Sequence, residues 1–344
     1  MEMAARITVV TGRSLGSVVA AYGRWLPGGL LAAVVFGCAA YQAGNLTGAL
    51  GGLELLCGPL SRWWLLPLGG GVGTALWFGS TGDLGRGLAV VVAAMGVVFL
   101  FAAANLLLTA ELPPRSVSDL DPALTVGLVG TTIVPYNFFL AAGLGSGSRL
   151  ADMRRGLRVS YLIGAAITCG IVVTGSVLLS FTGFGQAAAV LDGPLGGSGR
   201  WLLGPGLFAA GISSALTAPL AAAVAGRELL PRAGRGFRLL WGGVLLTGLA
   251  VGLLRLNIVT IILAAQVVNG VLVPMVGVLV LLVANDRALL GERANSGWQN
   301  VAGLATVLFL TYRNVEVLGG TPLISWSVTL SVGVVTTYFL VRKT

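Results

Sequence analysis

The chain has 344 residues, of which 56% are hydrophobic and 10% charged, and its mean hydropathy is +0.93. An apolar share of this size excludes a water-soluble fold, and no stretch is polar enough to form a soluble domain. The net charge of +9 does not point to nucleic acid, because the basic residues sit in loops between apolar runs.

Those runs are about 17 residues or more, continuous, and rich in Gly, Ala, Leu and Val, the pattern of helices crossing a hydrocarbon core of ~30 Å. A β-barrel would need segments of about ten residues with alternating polarity. The fold class is therefore an all-α integral membrane protein, one transmembrane domain over residues 1–344 with about ten helices. In chain order the spans are expected at 28–57, 63–79, 87–110, 122–145, 157–182, 202–226, 239–255, 257–284, 297–312 and 323–341. The last two read as a hairpin, since Arg313 and Glu316 interrupt the apolar run after Leu310. Before the first span only Ile7 to Val10 is apolar, which is too short for a secretory signal peptide.

Sixteen of the 21 Lys and Arg residues fall on one side of this arrangement, among them Arg6, Arg86, Arg154, Arg238, Arg287 and Lys343. The positive-inside rule places that side, with both ends of the chain, in the cytoplasm of a plasma (inner) membrane. An even number of spans follows, which ten and eight both satisfy. The 53 glycines read mainly as packing residues that let helices approach where no hydrophobic force drives association.

Cys38, Cys57 and Cys169 lack metal-ligand spacing and read as buried small side chains. Glu54, one turn from the outer end of its span, reads as a carboxylate that snorkels to water. Glu111, Asp119 and Asp121 form a solvated acidic loop. The informative segment runs from Val129 to Leu140, in mid-span. Pro135 has no amide hydrogen and clashes with the carbonyl one turn back, so backbone groups lose their partners at membrane depth. Broken helices of this kind are tolerated where they line a cavity, as at the binding sites of secondary transporters; a simple proline kink is the alternative. The break is assigned to Pro135, Tyr136 and Asn137. Two further polar spots interrupt apolar spans: Ser213, Ser214 and Thr217, whose hydroxyls could instead bond back to their own helix, and Gln266 with Asn269, whose amides could instead join helices. Three interruptions in three spans favour one shared internal cavity.

At these residues the sequence resembles the Nramp family of divalent metal transporters along its whole length. Met3 to Gly12 resembles the cytoplasmic end of the family's second helix and Phe208 to Thr217 its eighth. Gln266-Val267-Val268, Val273-Pro274 and Asn285-Asp286-Arg287 resemble its tenth. Thr131 to Leu140 occupies the place of the sixth-helix Met-Pro-His motif. The resemblance implies a LeuT-type inverted-repeat bundle with the ion at the interface of the repeats. It implies Gln266 and the Thr131 carbonyl as ion contacts, with Val134 where the family has a thioether ligand. Loss of soft sulfur favours oxygen ligands and a harder cation, magnesium or manganese.

The chain has no histidine, and Tyr136 stands at the motif's histidine position. In the third helix, where many members carry acidic groups for proton movement, this chain reads Tyr41-Gln42-Ala43-Gly44-Asn45, which adds Asn45 to the cavity's polar residues. Transport uncoupled from protons is the expectation, as in the Nramp-related magnesium transporter branch. No Asp-Pro-Gly segment of the family's first helix precedes Arg6. The resemblance thus implies a chain lacking the first helix and most of the second, inactive unless these are restored.

The expected partners are the lipid bilayer and a divalent metal ion carried as substrate, with no nucleic acid and no cofactor. An amino-acid or organic-solute carrier of the same architecture is the second expectation, and a non-transporting membrane scaffold the third. Nothing resembles a nucleophile with its base, so no enzyme is expected.

Overall fold

The structure, a computed structural model, describes residues 1–79, 81–109, 126, 134–145, 147–176, 183–192, 196–230, 236–254 and 258–343. Among these, helices stand where the apolar runs lie: α1 (Glu2–Thr11), α2 (Leu15–Val19), α3 (Leu26–Cys57), α4 (Leu65–Phe78), α5 (Thr81–Thr109), α6 (Tyr136–Gly145) and α7 (Leu150–Ser176). They continue with α8 (Phe184–Asp192), α9 (Gly199–Leu229), α10 (Gly236–Leu253), α11 (Ile258–Ala284), α12 (Arg287–Leu290), α13 (Gly297–Val317) and α14 (Pro322–Lys343). No strand occurs among the described residues. By length and composition α3, α7, α9 and α14 each suffice to cross a membrane, and the second half of α11 turns by 60° into the Arg287–Arg293 segment.

Several elements differ from expectation, three of them with a visible cause. α7 begins at Leu150 rather than 157, because its first turns project beyond the apolar stretch and carry Arg154, whose Nε donates to Glu2 Oε1 at 2.9 Å. α13 continues past 312 to Val317, because Arg313 and Glu316, one turn apart, pair at 2.7 Å and each hides the other's charge. α8 forms where a loop was expected, and Ala187, Ala188 and Leu191 anchor it in a core with Leu106 and Leu203. One cysteine reading is corrected in part: Cys38 is buried, but Cys57 and Cys169 are exposed. Cys57 is the last residue of α3, and α7 buries only a narrow face, at Ile167, Gly170 and Thr174.

Tryptophans mark the two rims. Trp25, Trp77 and Trp298 lie at helix ends on the side rich in arginine, here called the basic end, and Trp63, Trp64, Trp201 and Trp326 at helix starts on the opposite side; all are exposed. Amphipathic indoles settle at membrane interfaces in this way. Arg24, Arg200 and Arg238 lie over the rings of Trp25, Trp201 and Trp77 at 4.9, 5.2 and 4.2 Å.

The bundle is built around the crossing of α3 and α9. Gly211 makes it possible: a Cβ there would lie 2.4 Å from the Ala49 nitrogen and 2.7 Å from the Asn45 carbonyl oxygen. Backbone therefore meets backbone, as small residues allow in membrane helix pairs. Nearer the basic end, one core joins Cys38 of α3, Phe138 and Phe139 of α6, Ala218 and Ala222 of α9, and Val276 and Val280 of α11.

At the basic end itself Arg6 of α1 is 2% exposed. It donates to the Arg293 carbonyl at 3.0 Å, to Gln299 Oε1 at 3.4 Å and to Asn295 Oδ1, and Glu2 lies 3.7 Å away. The chain of bonds runs on from Asn295 to Asn300 and from Asn300 to Asn285, whose Nδ2 donates to the Leu340 carbonyl. Loss of water around Arg6 lowers its pKa, with Glu2 opposing that shift. The buried cation is held by acceptors rather than by a tight ion pair.

Candidate functional site

The site is built around the start of α6. Val134 is 6% exposed and non-helical, Pro135 is a buried turn residue, and Tyr136 opens the helix. The Asn137 amide donates to the Val134 carbonyl at 3.0 Å and the Phe138 amide to the Pro135 carbonyl at 3.2 Å. A proline just before a first turn removes only an N–H that needed no helical partner. Thr131 lies outside the described residues, and so does the side chain of Asn269. Tyr136 packs against the core shared by α3, α6, α9 and α11, and Asn137 is half-buried.

On the side of that core away from the basic end, the same helices carry Gln42, Asn45, Ser213, Thr217 and Gln266. Ser213 is buried and donates to the Ala210 carbonyl at 3.0 Å, and Thr217 donates to the Ser213 carbonyl at 2.8 Å. Both hydroxyl protons are therefore spent on their own helix, leaving oxygen lone pairs for a ligand. Ser214 is exposed and stands apart from Ser213. Asn45 and Gln266 are half-buried. Gly270, one turn after Gln266, has no room for a side chain: a Cβ would lie 2.6 Å from the carbonyl oxygen of Val126. α11 thus touches the chain at Val126.

One residue the sequence reading passed over is Gln42. Pro219 inside α9 supplies no N–H, so the carbonyl one turn earlier, that of Ala215, loses its helical partner. Gln42 is 0% exposed, and its Nε2 donates to that carbonyl at 3.0 Å. An interior proline with an amide on a neighbouring span was the available signal.

Among the described residues no three of Cys, Asp and Glu gather into a set that could hold a metal. The polar side chains that the sequence reading singled out on α3, α9 and α11, namely Asn45, Ser213, Thr217 and Gln266, are amides and hydroxyls, whose oxygens are hard and neutral.

The sequence model of the Natural resistance-associated macrophage protein-like family, Nramp, matches residues 1–319. The chain belongs to the Nramp family. Among curated relatives of this Nramp chain, divalent metal cation transporter MntH 1 of Pseudomonas aeruginosa is 30% identical over 212 residues, 54% of this chain and 47% of that protein. The divalent metal cation transporter MntH of Vibrio campbellii is 23% identical over 212 residues, 57% of this chain and 49% of that protein. The match spans about half the length of these relatives. A crystal structure of a histidine-to-alanine variant of the Eremococcus coleocola manganese transporter superposes with a TM-score of 0.69 at 17% identity, covering 99% of this chain and 84% of that one. The same transporter bound to an aromatic bis-isothiourea compound gives 0.71, again at 17% identity and with the same coverage. At that identity the likeness establishes the fold: this Nramp chain is a multi-pass, LeuT-type helical membrane bundle.

Proposed function

We propose that this Nramp chain moves a divalent cation across the membrane, and that the ion passes between the α6 start and α11. One observation supports the reading: Val134 and Pro135 are buried and non-helical, and Tyr136, which follows them, packs on the core shared by α3, α6, α9 and α11. The Thr131 carbonyl, Val134 and Gln266 are proposed as the ion contacts. Pro135, Tyr136 and Asn137 form the helix break, and Asn45, Ser213, Thr217 and Asn269 line the path. Ser214 is exposed and is left out of this set.

Val134 offers no sulfur, so the site suits a hard cation such as magnesium, with manganese next. Neutral Gln42 and Asn45 and the lack of any histidine support movement without coupled protons. The basic end faces the cytoplasm of the plasma membrane, and no catalysis belongs to this reading.

The test is uptake of magnesium and manganese into proteoliposomes by the full-length protein, with and without Val134→Met. The thioether should shift preference toward manganese and cadmium, and Gln266→Ala should raise KM for either ion. Unchanged selectivity in Val134→Met would place the ion elsewhere, and competition by organic solutes but not by metals would replace the reading with a solute carrier.

A further inference from the structure

Pro274 lies inside α11 and does to Gly270 what Pro219 does to Ala215 in α9. It removes the N–H that the Gly270 carbonyl would have accepted. The carbonyl is not left bare: Nδ2 of Asn314, on α13, donates to it at 3.1 Å. Asn314 is 5% exposed, and because a carbonyl only accepts, the amide must present its NH2 group there. Two unrelated helix pairs thus repair a proline gap in one way, with an amide from the neighbouring helix (Gln42 on α3, Asn314 on α13). Each repaired carbonyl sits about four turns before the last residue of its helix, roughly 21 Å of rise.

The second repair adjoins the proposed ion path. In the helical ladder the Gly270 N–H closes the turn on the Gln266 carbonyl. The next rung, from Gly270 onward, is the one Pro274 breaks. We propose that Asn314 is a positioning residue for the ion path: its amide replaces the missing rung and holds the turn of α11 that carries Gln266. Gly270 also abuts Val126, so movement at this rung reaches Val126 as well as α11. The inference rests on the transport reading for its effect on the ion and on geometry alone for the repair.

The test uses the full-length protein in lipid nanodiscs and proteoliposomes, in four forms: wild type, Asn314→Leu, Pro274→Ala and the double variant. Asn314→Leu should speed amide hydrogen exchange in peptides covering 266–273 without altering the α3–α9 crossing. It should also raise KM for the transported ion by about threefold to thirtyfold, with a smaller change in maximal rate. Pro274→Ala restores the helical N–H, so in the double variant both effects should shrink toward wild type, a rescue that general loss of packing would not give. If Asn314→Leu proves too unstable to purify, Asn314→Ser is read in the same way. Wild-type exchange in Asn314→Leu, or defects equally large in the double variant, overturns the proposal. If the wild-type protein moves no divalent ion, the transport reading fails and the exchange pattern alone decides whether Asn314 holds the turn.

Discussion

Gln42 and Ala215 are joined across the α3–α9 crossing by a hydrogen bond of 3.0 Å, and the accepting carbonyl is the one that Pro219 deprives of its own helical donor. Within a bilayer no water stands ready to take its place. Replacing Gln42 by Leu should therefore destabilise the protein by about 1–3 kcal/mol, the scale of an orphaned buried acceptor. Thermal unfolding in a mild detergent measures it, and Pro219→Ala should recover part of the loss. A Gln42→Leu protein that melts with the wild type would show the bond to be dispensable.

The α3–α9 contact leaves no space for a methyl group at Gly211, where a Cβ would lie 2.4 Å from the Ala49 nitrogen. Gly211→Ala must push backbone away from backbone and should cost about 1–3 kcal/mol through overpacking, despite alanine's better helix propensity. Gly28 provides the control: a Cβ there would meet nothing within 4 Å, so Gly28→Ala should be neutral or slightly stabilising. Paired melting curves of the two variants separate crowding from propensity.

Arg6 holds the Arg293 carbonyl, Asn295 and Gln299 with one planar fork. Arg6→Lys keeps the charge but cannot span three acceptors, so it should rescue little of what Arg6→Met loses. Both variants should expose the 286–296 connection to protease well before the rest of the chain unfolds. Protection equal to wild type in Arg6→Lys would mean that charge, not geometry, is what α1 supplies.

The pair of Arg313 and Glu316 at 2.7 Å allows α13 to continue past the end of its apolar run. Glu316→Ala leaves a guanidinium near the end of a membrane helix, where the insertion cost is reduced by snorkelling. The expected result is a drop in stability of about 1 kcal/mol, smaller than for Gln42→Leu, and near recovery in an Arg313→Leu, Glu316→Ala double variant. A double variant worse than either single change would count against the pair.

The spans were legible because hydrocarbon imposes one requirement on every crossing segment, a long apolar run, and short charged loops separate the runs. Their limits were less so, because a charged residue ends an apolar run without ending its helix: Arg154 pairs with Glu2 and Arg313 with Glu316. The break at Pro135 was legible from the chemistry of proline. The expected spans 202–226 and 257–284 already ran through Pro219 and Pro274, but the repair of those two gaps was not legible, because each needs a partner remote in sequence, Gln42 and Asn314. Arg6 is one of the sixteen basic residues assigned to the cytoplasmic side, and only the return of the chain near Asn295 makes a buried place for it. Ser213 and Thr217 were identified as polar spots, and the structure spends their protons on their own helix, which is the plainer of the two readings open to them.

The seam between α3 and α9, where Gly211 lies directly on Ala49, also limits how this molecule can change shape. Sliding either helix by one residue would drive side chains into the neighbouring backbone, so the two behave as a fused keel. Any alternation of the opening from one rim to the other then falls to what surrounds the keel. Outside the keel, α6, which starts only at Tyr136, and α11, whose ladder lacks the rung at Pro274, are the parts without its constraint.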